Sequence, residues 1–344
     1  MNNSQYTFIR RCINAAGFLT LLFVCANAMA ARPLTIKLAT VAPKGSVYHR
    51  VLQEMGEKWR AAQGGDARFI IYTDGTQGSE AETVRRLRVG QLQASMLTTV
   101  GLMEIEPTVV AMQFMPMTYR NFAELDHVLT SMRPKMESDF TKKGYRVLLW
   151  GMGGWVQFFS DRRRVMPEDF LNAKIFTWAG TKDQENIMKS MGYRPIVLDM
   201  SDILPAVQTG MVDVIPAAPV WALAGQFYRN TPHMLRVNWV PIVGATVLSN
   251  KTWDAMHPRA RVALTEAAAQ AEATLREHRR RLDEGAIEAM QKRGLTVHEP
   301  TAEVEQAWRR MMEPVMARIR GTLVPAETFD TVQSLLAEYR ANHQ

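Results

Sequence analysis

Cysteine is nearly absent from this chain, and its two copies lie where they cannot serve the folded protein. Among 344 residues, only Cys12 and Cys25 are cysteines, and both fall inside residues 1–30, which have the composition of a signal peptide. Once that segment is removed, the chain has no means of forming a disulfide, a thiol nucleophile, a cysteine-ligated zinc site or an iron–sulfur cluster. We therefore expect the fold to depend on its hydrophobic core.

The signal-peptide interpretation depends on three features that follow one another along the N-terminus. Arg10 and Arg11 supply the positive charge, and residues 13–26 are mostly apolar. Ala28 and Ala30 place small residues at the positions that signal peptidase requires, so cleavage is expected after Ala30. The apolar run is too short to span a membrane comfortably, which makes a membrane anchor the weaker alternative. The sequence therefore predicts an exported protein of the periplasm.

The residue patterns that support metal binding and nucleophilic catalysis are also missing. No two of the seven histidines stand at a ligand spacing such as i, i+4, so we expect no metal and no cofactor. The chain has no Gly-x-Ser-x-Gly motif, and the spacing of Ser46 and His49 alone is a weak signal. An enzyme remains an alternative, in which Glu80 would act with Asp199 or Asp213 as an acid–base pair. We favour a protein without catalytic activity.

Positive charge is present in only a small excess. The formal net charge is +7, and the loss of Arg10 and Arg11 with the signal peptide lowers it by two, to +5. The densest basic runs, residues 162–164 and 279–281, are short and are expected on solvated loop and helix faces. Nucleic acid is therefore not expected as a partner.

A repeated phrase is the most informative feature that the sequence does contain. Residues 84–99 and residues 204–219 can be aligned on Gly90 and Gly210. Each copy has the pattern of a helix end, a glycine and a short apolar strand. Glycine suits the position after a helix because that residue often needs a positive φ, which costs glycine nothing. The pattern predicts two copies of one supersecondary unit.

The segments before each copy also correspond. A predicted strand at residues 37–40 pairs with one at 174–177, and a second at 69–72 pairs with one at 195–198. The order β-α-β-α-β therefore occurs twice, and such units build mostly parallel sheets. Ligands of open parallel sheets bind at the carboxyl ends of the strands. We expect an α/β protein with two lobes that face one another across a cleft.

The remaining elements are predicted from periodicity and from breaker residues. A proline-free stretch at residues 259–293 predicts one long helix, with Gly285 as a possible kink. The run at 239–248 is expected to be extended and to cross between the lobes. Four further helices are expected, at residues 122–132, 134–143, 302–320 and 326–341. One further strand is expected at residues 146–150.

The ligand-binding residues are expected in the loops at the strand ends and at nearby aromatic positions. Several tryptophans near these ends predict an aromatic-lined pocket, although core packing is the default explanation for any one of them. From the first half of the chain we select Thr40, Gln77, Glu80, Thr98, Thr99, Trp155, Gln157 and Phe158. From the second half we select Phe176, Trp178, Ala217, Trp221 and Trp239.

With these residues in place, the chain resembles the solute-binding proteins of tripartite ATP-independent periplasmic (TRAP) transporters, solute-binding protein family 7. The resemblance covers essentially the whole chain after the signal peptide. Its motifs are residues 39–46, 75–78 with Glu80, 89–92, 167–170, 174–175, 206–210, 212–213 and 250–253. The resemblance implies a two-lobed periplasmic binding protein of type II topology, with a long helix that spans both lobes. It also implies delivery of a small organic solute to a TRAP permease in the membrane, driven by an ion gradient.

The resemblance suggests the following division of the chain. The first lobe is expected at residues 31–152 with about 243–258, and the second at 153–242 with about 295–344. The spanning helix is expected at about 259–294, and the protein is expected to be a monomer. A subunit that presents solute to a signalling protein is an alternative to transport.

The sequence departs from the family pattern where specificity is set. Family members usually carry an arginine two residues after the lysine of the Lys174-Ile175 pair, where it binds a substrate carboxylate; this chain has Phe176 there. The segment 155–157 also lacks an arginine, and residues 212–219 are apolar after Asp213. Because a bidentate guanidinium–carboxylate pair is a strong polar contact, we expect an apolar or aromatic solute. An acid group in it would be held by backbone N–H groups or by the polar candidates listed here: Gln77, Thr98, Thr99 and Gln157.

Overall fold

The computed structural model describes residues 33–64, 66–178 and 182–343. Cys12, Cys25 and the expected cleavage site after Ala30 lie outside these described residues. Within the described ranges, none of the helices combines the length and the apolar character that crossing a membrane requires.

The chain alternates strands and helices over most of its length. The strands are β1 Thr35–Thr40, β2 Arg68–Tyr72, β3 Ala94–Thr98, β4 Tyr145–Trp155, β5 Gln157–Ser160, β6 Lys174–Trp178, β7 Arg194–Leu198, β8 Val214–Ala217, β9 His233–Leu235, β10 Pro241–Ser249 and β11 Thr296–His298. The helices are α1 Val47–Gln63, α2 Glu80–Arg88, α3 Thr99–Leu102, α4 Phe122–Lys142, α5 Lys182–Ser190, α6 Ile203–Gln208, α7 Pro219–Ala224, α8 Asn250–Asp254, α9 Pro258–Gln291, α10 Ala302–Ile319 and α11 Ala326–Asn342.

The strands form two sheets with matching topology. The first sheet has the order β2-β1-β3-β10-β4, and the second has the order β7-β6-β8-β5-β9-β11. In each, the three strands of one repeat pair in parallel, and the next strand is antiparallel to them. That antiparallel strand is reached by chain that crosses from the other sheet. The predicted duplication and the two-lobed α/β fold are confirmed.

The two repeat glycines have the conformation that the sequence predicted. Gly90 has φ +74° and Gly210 has φ +69°. After each, the next amide reaches back to the helix: Gln91 N donates to Arg86 O at 2.9 Å, and Met211 N donates to Ala206 O at 2.8 Å. This bond closes the helix end and turns the chain into β3 or β8.

Two extended segments and one helix cross between the lobes. The first links β4 to β5 through Val156, and the second enters β10 through Trp239 and Val240. They bond to one another, since Val156 N donates to Val240 O at 2.8 Å and Trp239 N donates to Val156 O at 3.2 Å. A paired crossing of this kind can bend while both lobes keep their shape.

The long helix α9 packs on both lobes. It has 34 residues and is therefore about 50 Å long. In its first half, Leu264 and Leu275 share a core with Leu52 of α1. Near its end, Ile287 and Met290 belong to the core of the second sheet. Gly285 lies inside the helix without interrupting it, so the predicted helix is confirmed.

Two predictions of local structure were wrong. Pro134 was expected to separate two helices, but α4 is one helix of 21 residues. Val128 and Phe140 are buried on either side of the proline, so burial of one continuous face outweighs the lost hydrogen bond. β4 was expected to end at Trp150, but it continues to Trp155 because β10 pairs with it along this length.

The two C-terminal helices lie against different parts of the molecule. Trp308 of α10 stacks on Phe158 of the second sheet, with ring centroids 5.3 Å apart. The last helix, α11, packs on α4, where Arg340 forms an ion pair with the buried Glu124 at 2.8 Å. The chain therefore returns to the first lobe at its end.

Candidate functional site

A cavity of about 200 Å³ lies between the two sheets, at the carboxyl ends of their parallel strands. We call it the cleft cavity. The ends of β1, β2, β3, β6, β7 and β8 contribute Val41, Asp74, Thr98, Trp178, Asp199 and Ala217, respectively. All six strands of the duplicated unit therefore meet one cavity, as expected for parallel sheets that face each other.

The lining of the cleft cavity combines aromatic side chains with carboxylates. The aromatic residues are Phe176, Trp178, Trp221 and Phe227, and the acidic residues are Asp74, Glu80 and Asp199. Among the described residues, no lysine, arginine or histidine lines it. A carboxylate ligand would therefore meet no cationic side chain in this cavity.

Glu80 holds the polar wall of the cleft cavity in place. Its carboxylate accepts hydrogen bonds from Thr98 N at 2.6 Å, from Thr98 Oγ1 at 2.5 Å and from Gly101 N at 3.2 Å. A Cβ on Gly101 would lie 2.9 Å from Cβ of Glu80, so glycine is required for this approach. Burial raises the pKa of Glu80, although these hydrogen bonds act in the opposite direction. Glu80 thus joins the start of α2 to the turn between β3 and α3.

The opposite wall is aromatic because of the alternation along β6. Phe176 and Trp178 are two residues apart, so their side chains lie on the same face of the strand. Their rings meet edge to face, with centroids 4.9 Å apart and planes at 76°. Phe176 is only 4% exposed. The position where the family pattern has an arginine is therefore filled by a packed phenyl ring.

Trp221 combines a place in the cavity lining with an unpaired hydrogen-bond donor. It lies on the short helix α7 after β8 and lines the cavity. Its Nε1 is buried and has no hydrogen-bond partner. Because the indole N–H is a donor only, an acceptor oxygen on a ligand would satisfy it.

Asp283 of α9 contacts the chain where it leaves β4 and crosses to β5. Its Oδ2 accepts a hydrogen bond from Trp155 N at 3.2 Å, and its Oδ1 is buried without a partner. Gly154 has φ +91°, and a Cβ there would lie 2.3 Å from the Asp283 carboxylate. Burial raises the pKa of Asp283 to about 7, opposed by backbone hydrogen bonds from Trp155 and Val220. The long helix therefore places a readily protonated carboxyl at the joint between the lobes.

The residues selected from the sequence fall into four groups in the structure. Those that line the cleft cavity are Glu80, Thr98, Phe176, Trp178, Ala217 and Trp221. Phe158 and Trp239 line a second cavity of about 110 Å³. Thr40 and Gln77 lie beside the polar wall, where the Thr40 Oγ1 accepts a hydrogen bond from Ala42 N at 3.0 Å and Gln77 binds Arg86 at 3.2 Å.

The fourth group, Thr99, Trp155 and Gln157, is buried in other contacts. The Thr99 hydroxyl donates to Val243 O at 3.0 Å. The Trp155 ring packs on Phe122, with centroids 5.5 Å apart. Gln157 Nε2 donates to Asn238 Oδ1 at 3.4 Å. None of these three residues is in the lining of the two cavities described above.

Sequence reasoning missed several residues that the structure brings to the cleft cavity. Gln113 follows a short 3-10 helix and lines the cavity, while its Oε1 accepts a hydrogen bond from Val243 N at 3.2 Å. Ile242 comes from the second crossing segment, and Phe227 follows α7. Asp74 could have been selected by the rule that strand ends line the cleft, because it comes two residues after β2. The others depend on contacts distant in sequence.

Of the two acid–base pairs in the enzyme alternative, Glu80 and Asp199 both line the cleft cavity, whereas Glu80 and Asp213 are not brought together. Asp213 is hydrogen bonded to Lys174 N at 3.0 Å and forms an ion pair with the Lys174 side chain at 3.2 Å. Lys174 begins β6, whereas Trp178 ends it at the cavity. Asp213 therefore lies at the far end of that strand from Glu80 and cannot act with it.

In the described ranges, no three histidine, cysteine, aspartate or glutamate side chains are grouped so that they could hold a metal ion. The carboxylates of the cleft cavity are instead distributed over both of its walls.

A two-lobed α/β fold with a cleft between duplicated units is the architecture of extracytoplasmic binding proteins. Residues 38–321 match the family model described as bacterial extracellular solute-binding protein, family 7. The chain belongs to this family, whose members are solute receptors and not enzymes.

Individual relatives agree with the family match. The chain is 26% identical over 316 residues to the C4-dicarboxylate-binding periplasmic protein DctP of Rhodobacter capsulatus, covering 90% of this chain and 92% of the relative. The structure is similar to the sugar acid binding protein DctPAm of Advenella mimigardefordensis in complex with galactonate, with TM-score 0.81, 18% identity, and coverage of 89% and 98%. A TRAP periplasmic solute binding protein of Shewanella oneidensis with bound succinate has TM-score 0.81, 14% identity, and coverage of 88% and 99%. At these identities, the structural matches show the shared fold.

Proposed function

We propose that this chain is the solute receptor of a TRAP transporter, which captures a small organic solute in the cleft cavity and delivers it to a membrane permease. The observation that carries the proposal is the meeting of all six strand ends of the duplicated unit at one cavity. The family match agrees with it. Export to the periplasm by cleavage after Ala30 is part of the same proposal.

We further propose how the chain divides into moving parts. The first lobe comprises residues 31–152 and about 243–258, and the second comprises residues 153–242 and about 295–325. We assign α11 to the first lobe because it packs on α4. The helix at about 259–294 joins the lobes. A solute held between them favours the closed arrangement to the extent that it binds that arrangement more tightly.

The proposed solute has an apolar or aromatic body. Phe176 and Trp178 offer it an aromatic surface, and no lysine or arginine among the described lining residues is available to a second carboxylate. Trp221 Nε1 lacks a partner and would donate to one acceptor oxygen of the solute. Such a solute differs from galactonate and succinate, which carry many polar groups for their size.

Binding measurements with a matched panel test this proposal. Phenylacetate and phenylacetamide share an aromatic body and differ in charge, whereas succinate and galactonate are anions without an apolar body. We expect isothermal titration to detect binding of at least one aryl compound and much weaker binding of succinate and galactonate. Tight binding of succinate or galactonate alone would keep the receptor function and overturn the proposed solute class.

The same titrations decide how the polar end is held. If phenylacetate and phenylacetamide bind equally well, the acceptor oxygen matters and its charge does not. We expect Trp221→Phe, which keeps the ring and removes the N–H, to weaken both compounds by about tenfold. An unchanged affinity in that variant would exclude Trp221 as the donor.

A further inference from the structure

A second cavity lies next to the cleft cavity, around the end of β6. It has a volume of about 110 Å³. The two cavities share the lining residues Gln113, Val156, Phe176, Trp178 and Pro216. Gln113 comes from the first lobe, Val156 from the first crossing segment, and the other three from β6 and β8 of the second sheet. The second cavity therefore continues the space between the lobes. A solute bound in the cleft cavity therefore lies beside it.

The second cavity is lined mainly by apolar side chains from both lobes. Ile187 and Met191 come from the region of α5, and Met312 and Val315 come from α10. Trp239 closes it where the chain crosses between the lobes. Methionine side chains adapt to ligands of different shape, so this lining suits an alkyl or aryl group.

Among the polar side chains in this lining, Thr177 and Gln184 each have a buried oxygen that lacks a hydrogen-bond partner. Thr177 is 3% exposed, and its Oγ1 is buried without a hydrogen bond. Gln184 Oε1 is also buried without a hydrogen bond. Both residues line the second cavity. Buried polar groups are nearly always hydrogen bonded, so a bound group that carries a hydroxyl or an N–H would account for them.

We propose that the second cavity is a subsite for the far end of the same solute. The solute is then elongated: its acceptor oxygen lies in the cleft cavity, an alkyl or aryl segment passes Phe176, and a terminal hydroxyl or N–H group binds Thr177 and Gln184. This inference rests on the proposed function, because it requires the cleft cavity to be the place where solute is captured. If the inference holds, the residues at the end of β6 discriminate between solutes of different length.

A series of aryl acids tests the subsite by isothermal titration with the purified protein. The probes are phenylacetate, phenylbutanoate and the para-hydroxyl analogue of phenylbutanoate. We expect affinity to rise about tenfold from the first to the second, since two more methylene groups leave water. It should rise again, by about fivefold, for the hydroxyl analogue.

Two variants separate the parts of the subsite. Ile187→Trp fills the second cavity and should weaken both longer probes by at least about tenfold while leaving phenylacetate within about twofold. Thr177→Val removes only the hydroxyl and should abolish the advantage of the para-hydroxyl probe. Circular dichroism and unchanged phenylacetate binding serve as controls for folding.

The outcomes distinguish this inference from the function on which it rests. If phenylacetate binds but affinity does not depend on length, the receptor proposal stands and the subsite is overturned. If Thr177→Val leaves the hydroxyl advantage intact, the assigned hydrogen bond is wrong. If no aryl acid binds the wild-type protein, the proposed solute class and the subsite both fail.

Discussion

The two repeats build the same backbone around the cleft cavity but supply it with different chemistry. The first repeat contributes polar groups, chiefly Asp74, Glu80 and Thr98, and no aromatic residue among the described lining. The second contributes the aromatic side chains of Phe176 and Trp178 in addition to the carboxylate of Asp199. Both repeats end α-helices with a glycine of positive φ and present their strand ends at the same place. In the proposed function, the shared backbone sets the place of the solute and the side chains of each repeat set its chemical class.

This difference explains how one fold accommodates different ligands. Phe176 lies in the middle of β6, where its side chain lines the cleft cavity while its backbone remains in the sheet with β7 and β8. Exchange of an arginine for a phenylalanine there changes the chemistry of the second repeat and leaves the polar wall around Glu80 intact. Specificity can therefore change without a change in fold.

The largest effect is expected from replacing Phe176, in the aromatic wall of the cleft cavity, with a cationic residue. Phe176→Arg should raise the affinity for succinate by about a hundredfold, because a guanidinium can pair with a carboxylate in a water-poor site. Phe176→Leu is the control, since it alters the ring without adding charge. Isothermal titration of succinate with both variants checks the prediction. Equal changes in the two variants would show that this position does not govern the charge of the solute.

The next largest effect is expected from removing the Glu80 carboxylate, which holds the polar wall of the cleft cavity in place. Glu80→Ala removes the acceptor for Thr98 N, Thr98 Oγ1 and Gly101 N, and we expect it to lower the free energy of unfolding by about 2 kcal/mol. Solute binding should fall with it, because the turn that carries Thr98 loses its anchor. Glu80→Gln keeps acceptor capacity and should lose less than half as much. Urea denaturation of both variants measures the difference, and similar losses would argue against the anchoring role.

Asp283, which lies at the crossing between the lobes, should make the stability of the protein depend on pH. Asp283 has a folded-state pKa raised to about 7 from 3.8, so between these values the folded protein keeps a proton that the unfolded chain releases. Its contribution to stability is fully present below pH 4 and is lost as the pH rises through 7. Asp283→Asn should remove this loss, so that the variant is more stable than wild type at pH 8 but not at pH 4.

Denaturation at these two pH values tests the prediction for Asp283. Glu266→Gln is a suitable control because Glu266 is an exposed carboxylate on the same helix and is separated from Asp283 by several turns. A stability gain that is the same at both pH values would indicate a packing effect in place of a titration.

The smallest effect should be equal in the two repeats. Gly90→Ala and Gly210→Ala would each force a side chain into positive φ, although a Cβ meets nothing within 4 Å at either position. We expect a loss of about 1 kcal/mol from each. Gly285→Ala, inside α9 and equally unobstructed, should instead stabilise by about 0.5–1 kcal/mol. Thermal unfolding of all three compares them, and unequal losses at Gly90 and Gly210 would show that the repeats are not equivalent.

The backbone of the site was predictable because it depends on local patterns. Gly90, Gly210 and the strands around them show their roles within a few residues of sequence. The parallel-sheet rule then places Thr98, Trp178 and Ala217 at one cavity. The long helix α9 was equally clear, since its composition excludes other structures.

The rest of the site depends on contacts that sequence spacing does not reveal. Thr99 was selected because it ends a strand, but β10 crosses from the other lobe and its Val243 carbonyl binds the hydroxyl. Trp155 was selected as a cleft aromatic, but Phe122 of α4 covers its ring. Gln113 was missed because its side chain is held by the same crossing strand, where Val243 N donates to its Oε1. Each depends on a segment more than 30 residues away.

The most direct test of the account is native mass spectrometry of the protein freshly purified from the periplasm, followed by denaturation and identification of the released molecule. The account predicts one small molecule per chain, with an apolar or aromatic body and few carboxylates. Recovery of a small dicarboxylate or a sugar acid would contradict the central claim that the aromatic half of the cavity sets the solute class.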